Sequence, residues 1–303
     1  MRIAFEDVGG SCVFSSEWDK HAQKTYAANF GEVPHGDITQ IEPEAIPNFD
    51  VLLAGFPCQP FSSIGLRQGF DHPTQGTLFY DIVRIIDSKQ PSAFLLENVE
   101  GLEKHDSGRT IELINDSLWQ LGYVVQRRVL DAADFRVPQH RRRTYIVGYK
   151  RCEYGNEFPM IWPKRSNLKF AVGPHIERNV TGHSISTHLQ EVYIFKKDDD
   201  RPQIVNHSTE QPVKTLCASY HKIQRLTGTF VSEGETGLRL LTKNECRAIM
   251  GFPEWFEIPA CVSRTQMYRQ FGNSVAVPVV RRIATQMKKV IAGEGRRGSR
   301  SAA

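Results

Sequence analysis

The sequence predicts an α/β fold on a mainly parallel sheet, with a smaller irregular region set into it. Three observations predict this. Short apolar runs alternate with amphipathic stretches through the first half of the chain. The early runs, such as "DVLLAG" and "SAFLL", are almost unbroken, as strands covered on both faces must be. The rhythm then fails over residues 151–235, and helical signals return from about Leu240.

Element by element, "SCVFSSE" reads as a strand and "DKHAQKTYAANF" as a helix. "FDVLLAG" is a strand, and "GTLFYDIVRIIDS" a helix with Leu78, Ile82, Ile85 and Ile86 at helical spacing. "SAFLLENV" is a strand, "RTIELINDSLWQLG" a helix, and "YVVQRRVLD" and "RTYIVGYK" are two further strands. "LTKNECRAIMGF" and "VVRRIATQMKKVIAG" supply the returning helices. This divides the chain into residues 1–150, an irregular insert at 151–235, a return at 236–292 and a tail at 293–303. The tail, "GEGRRGSRSAA", has the composition of a disordered segment.

At 303 residues and 40% hydrophobic, the chain can bury a large core. No apolar run approaches the ~20 residues of a membrane span. "MRIAFEDVGG" has acidic residues where a signal peptide needs an apolar stretch, so a cytoplasmic location and no membrane partner are expected. The six cysteines are scattered, with no CxxC pair, which argues for a reducing compartment and against disulfides or a zinc knuckle. His183, His188, His207 and His221 lack ligand spacing and read as exposed, so no metal is expected. The net charge of +4 permits a nucleic-acid partner without demanding one.

Reactive side chains fall at strand ends: Glu17 after "CVFSS", Asp37 in "HGDI", Cys58 after "DVLLAGF" and Glu97 after "AFLL". In a parallel sheet those ends share one crevice. For any one of them a surface carboxylate or a structural thiol is the commoner explanation, by roughly three to one. Their shared edge changes those odds. A free thiol is mostly protonated at neutral pH, and nearby cations raise its thiolate fraction. "VPQHRRRTY" supplies arginines at the start of a strand, where alternation puts Arg141 and Arg143 on one face. A thiolate beside a protonated carboxyl can add to carbon 6 of a pyrimidine with help at nitrogen 3. Carbon 5 then becomes the nucleophile and can take a methyl group.

The ordered set "GFPCQPFS", "GTLFYDI", "ENV", "PQHRRR", "LRLLTKNECRAIMGFP" and "QFGNSVAVPVV" closely resembles the cytosine-5 DNA methyltransferases, in the branch of the Dcm-like bacterial modification enzymes. The resemblance spans nearly the whole chain outside the insert and tail. It implies a Rossmann-like, S-adenosylmethionine-dependent methyltransferase fold acting on double-stranded DNA, in the setting of restriction-modification. By the same resemblance Cys58 is the nucleophile, Glu97 contacts the target's nitrogen 3 and amine, and Arg143 with Arg141 holds the base carbonyl. Glu17, Trp18, Asp37, Ile38, Leu78 and Asn273 would hold S-adenosyl-L-methionine. Gln139 would support the active-site loop and, with Ser62, Thr215 and Leu216, stand on the DNA side. Residues from Ser62 to about Thr77 would form a mobile loop, and 151–235 the target-recognition region. The target cytosine must be flipped out of the duplex to be reached.

Two other readings remain to be weighed. A zinc-dependent base deaminase also uses a Pro-Cys element but needs a second cysteine in PCxxC, where Phe61 stands here. A non-catalytic, DNA-binding relic is the second. The family opens with a strand and a DxFxGxGG loop, whereas "MRIAFEDVGG" begins inside the first helix. The chain by itself is therefore expected to be nearly inactive, with a second polypeptide as one source of that strand and a monomer as the alternative.

Overall fold

A computed structural model describes residues 1–57, 78–166, 168 and 170–294. Cys58, Ser62 and the expected loop up to Thr77 lie outside the described residues, as does the tail beyond residue 294.

The first half builds a four-stranded sheet. Helices α1 (Arg2–Glu6) and α2 (Lys20–Phe30) precede strand β1 (Val51–Gly55). Helix α3 (Leu78–Lys89) leads to β2 (Ala93–Val99), and α4 (Arg109–Gln120) to β3 (Tyr123–Asp131) and β4 (Arg142–Lys150). The spatial order is β1-β2-β4-β3. The α/β class and the mainly parallel sheet expected from the sequence hold, since β1, β2 and β3 run the same way and β4 runs against them. Within this sheet, among the described residues, β1 and β2 are the adjacent parallel pair, and β4 runs antiparallel to both neighbours. The reason lies in the connections. Parallel neighbours need a crossover such as α3, whereas β3 reaches β4 through residues 132–141 with no helix long enough to cross the sheet.

"SCVFSSE" does not form the expected strand. Its one bridge joins Ser16 to His35, with Glu17 N–H donating to His35 O at 2.8 Å. A strand needs a ladder, and only Ser15 to Glu17 find partners.

Alternation assigns the two sheet faces. Phe94, Leu96 and Ile146 face α3 and α4, where Ile82, Ile86, Ile114 and Leu118 are buried. Phe94 lies over Gly148, where a β-carbon would stand 2.1 Å from its ring, so the aromatic fills the place of a side chain. Ala93, Leu95, Tyr145 and Val147 face the other way, onto α1, Met160, Trp162 and a C-terminal helix, α7 (Val277–Ile291).

A second core gathers residues 172–231, including strands β5 (Gln203–Val205) and β6 (Thr229–Val231), around helices α5 (Lys243–Ile249) and α6 (Arg264–Asn273). The packing therefore divides differently from the sequence rhythm. Met160 and Trp162 join the sheet core, while Leu238 to Phe271 share the core of the insert. Of the four histidines expected on the surface, only His188 is fully exposed.

Arg239 fastens this second lobe. It has no exposed surface, and it grips both oxygens of the equally buried Glu245 at 2.9 and 2.8 Å. It also reaches Glu233 at 3.1 Å and Glu177 O at 2.8 Å. Glu245 is also half of a capping box with Thr242 at the start of α5. Arg239→Met would leave a buried carboxylate without its cation. The expected cost is about 3–5 kcal/mol, read in urea unfolding as a lower midpoint at unchanged slope. An unchanged midpoint would show that the pair carries no such weight.

Candidate active site

The antiparallel placement of β4 decides the site. Strands β1, β2 and β3 end at the sheet edge where β4 begins, so Gly55, Glu97 and Arg143 meet there. Arg143 Nε stands 3.0 Å from Glu97 Oε1, and both side chains are largely buried. Across the ladder Gly55 sits opposite Glu97, and the missing β-carbon would lie only 3.5 Å from Oε2. Glycine thus keeps the second carboxyl oxygen uncovered. Burial pushes the Glu97 carboxyl up from its ordinary value, against the pull of Arg143 and then Arg141. The acid form is thereby favoured. The linkage sign follows: this group favours the fold at acid pH, and that contribution is lost as pH rises through its raised value.

Asn98, next to Glu97, fixes the chain leaving β1. Its Nδ2 donates to Phe56 O at 3.0 Å, and its Oδ1 accepts from Val99 N–H at 2.8 Å. Phe56 and Pro57 are the last described residues before Cys58. Asn98 stands in "ENV", but no local pattern marked this bond.

Arg141 is placed differently from the expectation that it helps hold the base. It is buried, and its terminal nitrogens donate to Leu216 O at 3.1 Å, Gly272 O at 2.8 Å and Ser274 O at 2.6 Å. Burial, and then the charge of Arg143, push its guanidinium down to about 10. Gln139 and Leu216, expected on the DNA side, are also buried. Gln139 Oε1 accepts from Leu216 N–H at 2.9 Å. Neither can meet a duplex in this arrangement, because protein covers both. Thr215 is half-buried, and its hydroxyl donates to His140 O at 2.6 Å.

A cavity of about 380 Å³, within the usual size of small-molecule sites, is bordered by Ser274, whose carbonyl Arg141 holds. Glu17, Trp18 and Asn273 line it together, although Asn273 is far away in sequence. Its floor is aromatic, from Phe30, Phe252, Phe256 and Phe271. Trp18 is 71% exposed and free to cover a planar ring. Burial pushes the Glu17 carboxyl up, opposed by the N–H of Asp19, which donates to Oε1 at 2.9 Å. Gln266 and Gln270 also line the cavity, and Gln266 Oε1 and Gln270 Nε2 are buried without hydrogen-bond partners. An aromatic floor with polar side chains and a carboxylate suits a nucleoside carrying charged groups. No sequence signal marked the two glutamines.

Asp37, Ile38 and Leu78 do not line this cavity. Asp37 is exposed and accepts from Thr39 N–H at 3.0 Å. The turn that follows is held to α3 by Arg84, which donates to Ile38 O and Ile41 O. Leu78 packs against the α3 side of the core. Among the described residues no group of His, Cys, Asp and Glu could hold a metal ion, and no helix is long and apolar enough to cross a membrane.

The acid–arginine pair at a strand-end edge and the aromatic-floored cavity belong to one fold of the α/β class. The profile of the C-5 cytosine-specific DNA methylases matches residues 1–289, and the chain belongs to that family. It is 56% identical over 287 residues to the Type II methyltransferase M.MspI of Moraxella sp, covering 95% of this chain and 67% of that one. It is 55% identical over 290 residues to M.BsuFI of Bacillus subtilis, covering 95% and 70%. The fold is that of a solved DNMT2 of Spodoptera frugiperda, with a TM-score of 0.76 at 22% identity over 95% of this chain and 96% of that one.

Removing the arginine charge should push the acid further up. In Arg143→Met, the Glu97 carboxyl followed by carbon-13 NMR should titrate at higher pH than in the unchanged protein. A lower or unchanged titration point would contradict the pairing.

Proposed function

We propose that this protein methylates carbon 5 of a cytosine flipped out of duplex DNA, within a short specific sequence, using S-adenosyl-L-methionine. The observation that carries this reading is the buried Glu97, paired with Arg143 at 3.0 Å where the strand leading to Cys58 ends.

Glu97 orients and protonates. Arg143 holds Oε1, so Oε2 is free to meet nitrogen 3 and the exocyclic amine of the flipped base. Burial raises the carboxyl's hold on a proton, against the pull of Arg143 and Arg141. The Cys58 thiolate bonds to carbon 6, the carbon 5–carbon 6 π pair shifts toward carbon 5, and the Glu97 proton goes to nitrogen 3. After carbon 5 has taken the methyl group it gives up its hydrogen as a proton to water, the freed bond pair restores the ring double bond, the sulfur leaves with the carbon 6 bond pair, and nitrogen 3 returns its proton to Glu97. Arg143, beside the acid, also offers a cation to the base carbonyl. Glu17 would hold the ribose hydroxyls of the donor, Trp18 its adenine, and Asn273 the far wall. The aromatic floor and the polar side chains of Gln266 and Gln270 in the lining support the fit. S-adenosyl-L-methionine, when bound, supplies the electrophilic methyl group that carbon 5 takes. Ser62, like Cys58, is assigned from sequence alone.

Residues 151–235 are proposed to choose the sequence that is methylated, since they carry most of the second lobe.

DNA carrying 5-fluorocytosine at the methylation site should form a stable covalent adduct with the protein, because fluorine cannot leave as a proton. The Cys58→Ala variant should form none. An adduct that persists in that variant would overturn the nucleophile assignment. Transplanting residues 151–235 into a relative of known specificity should move the bisulfite-mapped methylation sites of host DNA. Unmoved sites would place recognition elsewhere.

A further inference from the structure

Two side chains from one short segment take hold of both polar backbone groups of a single residue in the other lobe. Gln139 Oε1 accepts from Leu216 N–H, and Arg141 Nη1 donates to Leu216 O. Each side chain then continues to a third element. Gln139 Nε2 donates to Ile249 O at 2.9 Å, at the end of α5. Arg141 Nη2 donates to Gly272 O and Ser274 O, the carbonyls on either side of Asn273 in the cavity wall. Of their polar atoms, Arg141 Nε alone is buried without a partner.

The backbones reinforce the grip. His140 N–H donates to Val213 O at 2.8 Å, and Val213 N–H to Pro138 O at 2.9 Å. At Gly272 a β-carbon would stand 2.2 Å from Ala218 N. Only glycine lets the chain at 217–218 lie directly on α6. Asp131 accepts from Arg141 N–H at 2.9 Å, which fixes the segment to the end of β3.

The joint therefore touches three working parts. Residues 213–218 belong to the second lobe, Asn273 lines the cavity, and Arg143 stands two residues beyond Arg141 against Glu97. A dry, nearly saturated hydrogen-bond network shifts as a unit, because losing one bond leaves a buried group unpaired. We infer that Gln139 and Arg141 are positioning residues that couple DNA on the second lobe to the methyl donor in the cavity. This rests on the methyltransferase reading. Neither residue needs to touch the base or the duplex.

Coupling between two ligands is reciprocal, so it can be measured from either side. Calorimetry of S-adenosyl-L-homocysteine, the donor without its methyl group, would be run with and without saturating sonicated host DNA. In the unchanged protein DNA should tighten this ligand by roughly 5-fold or more. In Gln139→Met and in Arg141→Lys the ratio should fall toward one, while each ligand still binds alone. A variant that melts earlier but keeps the full ratio would overturn the inference and leave a merely structural role. So would a ratio of one in the unchanged protein. If both variants fail to fold, Thr215→Val removes only the outer bond to His140 O, and the ratio should fall part of the way; an unaltered ratio there overturns the inference too. An unchanged protein that binds neither ligand would bring down the methyltransferase reading itself, and the inference with it.

Discussion

The direction of one strand governs the site. β4 lies between β2 and β3 and runs against both. Its first residues therefore meet the last residues of its neighbours, and Arg143 reaches Glu97 without any loop to carry it. Turned to run parallel, the same nine-residue strand would carry its arginines to the opposite edge, roughly 30 Å away. The bidentate Arg142–Glu100 pair at 2.9 and 2.7 Å follows from the same geometry. An antiparallel strand in an otherwise crossover-built sheet is thus the device that places a cation beside a strand-end acid.

The two principal acid–arginine pairs show what burial is used for. Arg239 and Glu245 are sealed, and every oxygen of Glu245 is occupied by Arg239, Thr242 or Glu177. Such a pair specifies an arrangement more than it adds stability, because desolvation offsets much of the attraction. Glu97 and Arg143 are almost as buried, but Gly55 brings no side chain against the second carboxyl oxygen. The first pair is complete within the protein, whereas the second leaves room for a ligand.

Much of the sheet could be read from the sequence. The runs at 51–55, 93–99 and 123–131 are apolar, bounded by turns, and separated by helices whose buried faces repeat at i, i+3 and i+4, as Leu78, Ile82, Ile85 and Ile86 do. Glu97 and Arg143 could be read because the motif fixes their residue type and order. The direction of β4 could not, since a strand's apolar pattern is the same in either sense. "SCVFSSE" misled because strand propensity says nothing of whether a partner lies alongside. Gln139, Arg141 and Leu216 misled in another way. Polar residues in an ordered motif invite assignment to a ligand, yet their bonds run to carbonyls and amides distant in sequence, which no local pattern records. Gln266 and Gln270 became visible only once the cavity existed.

The bonds made by Arg141 span 75, 131 and 133 residues. Closing loops of that length costs chain entropy before any contact repays it, and such contacts slow folding. The joint can close only once the residues out to Ser274 have been made. A ribosome will have released most of the chain before Gly272 and Ser274 are available to accept those bonds. Until then a guanidinium waits without its carbonyls beside a half-made sheet, so the site is assembled last, as a property of the finished chain and of no fragment of it.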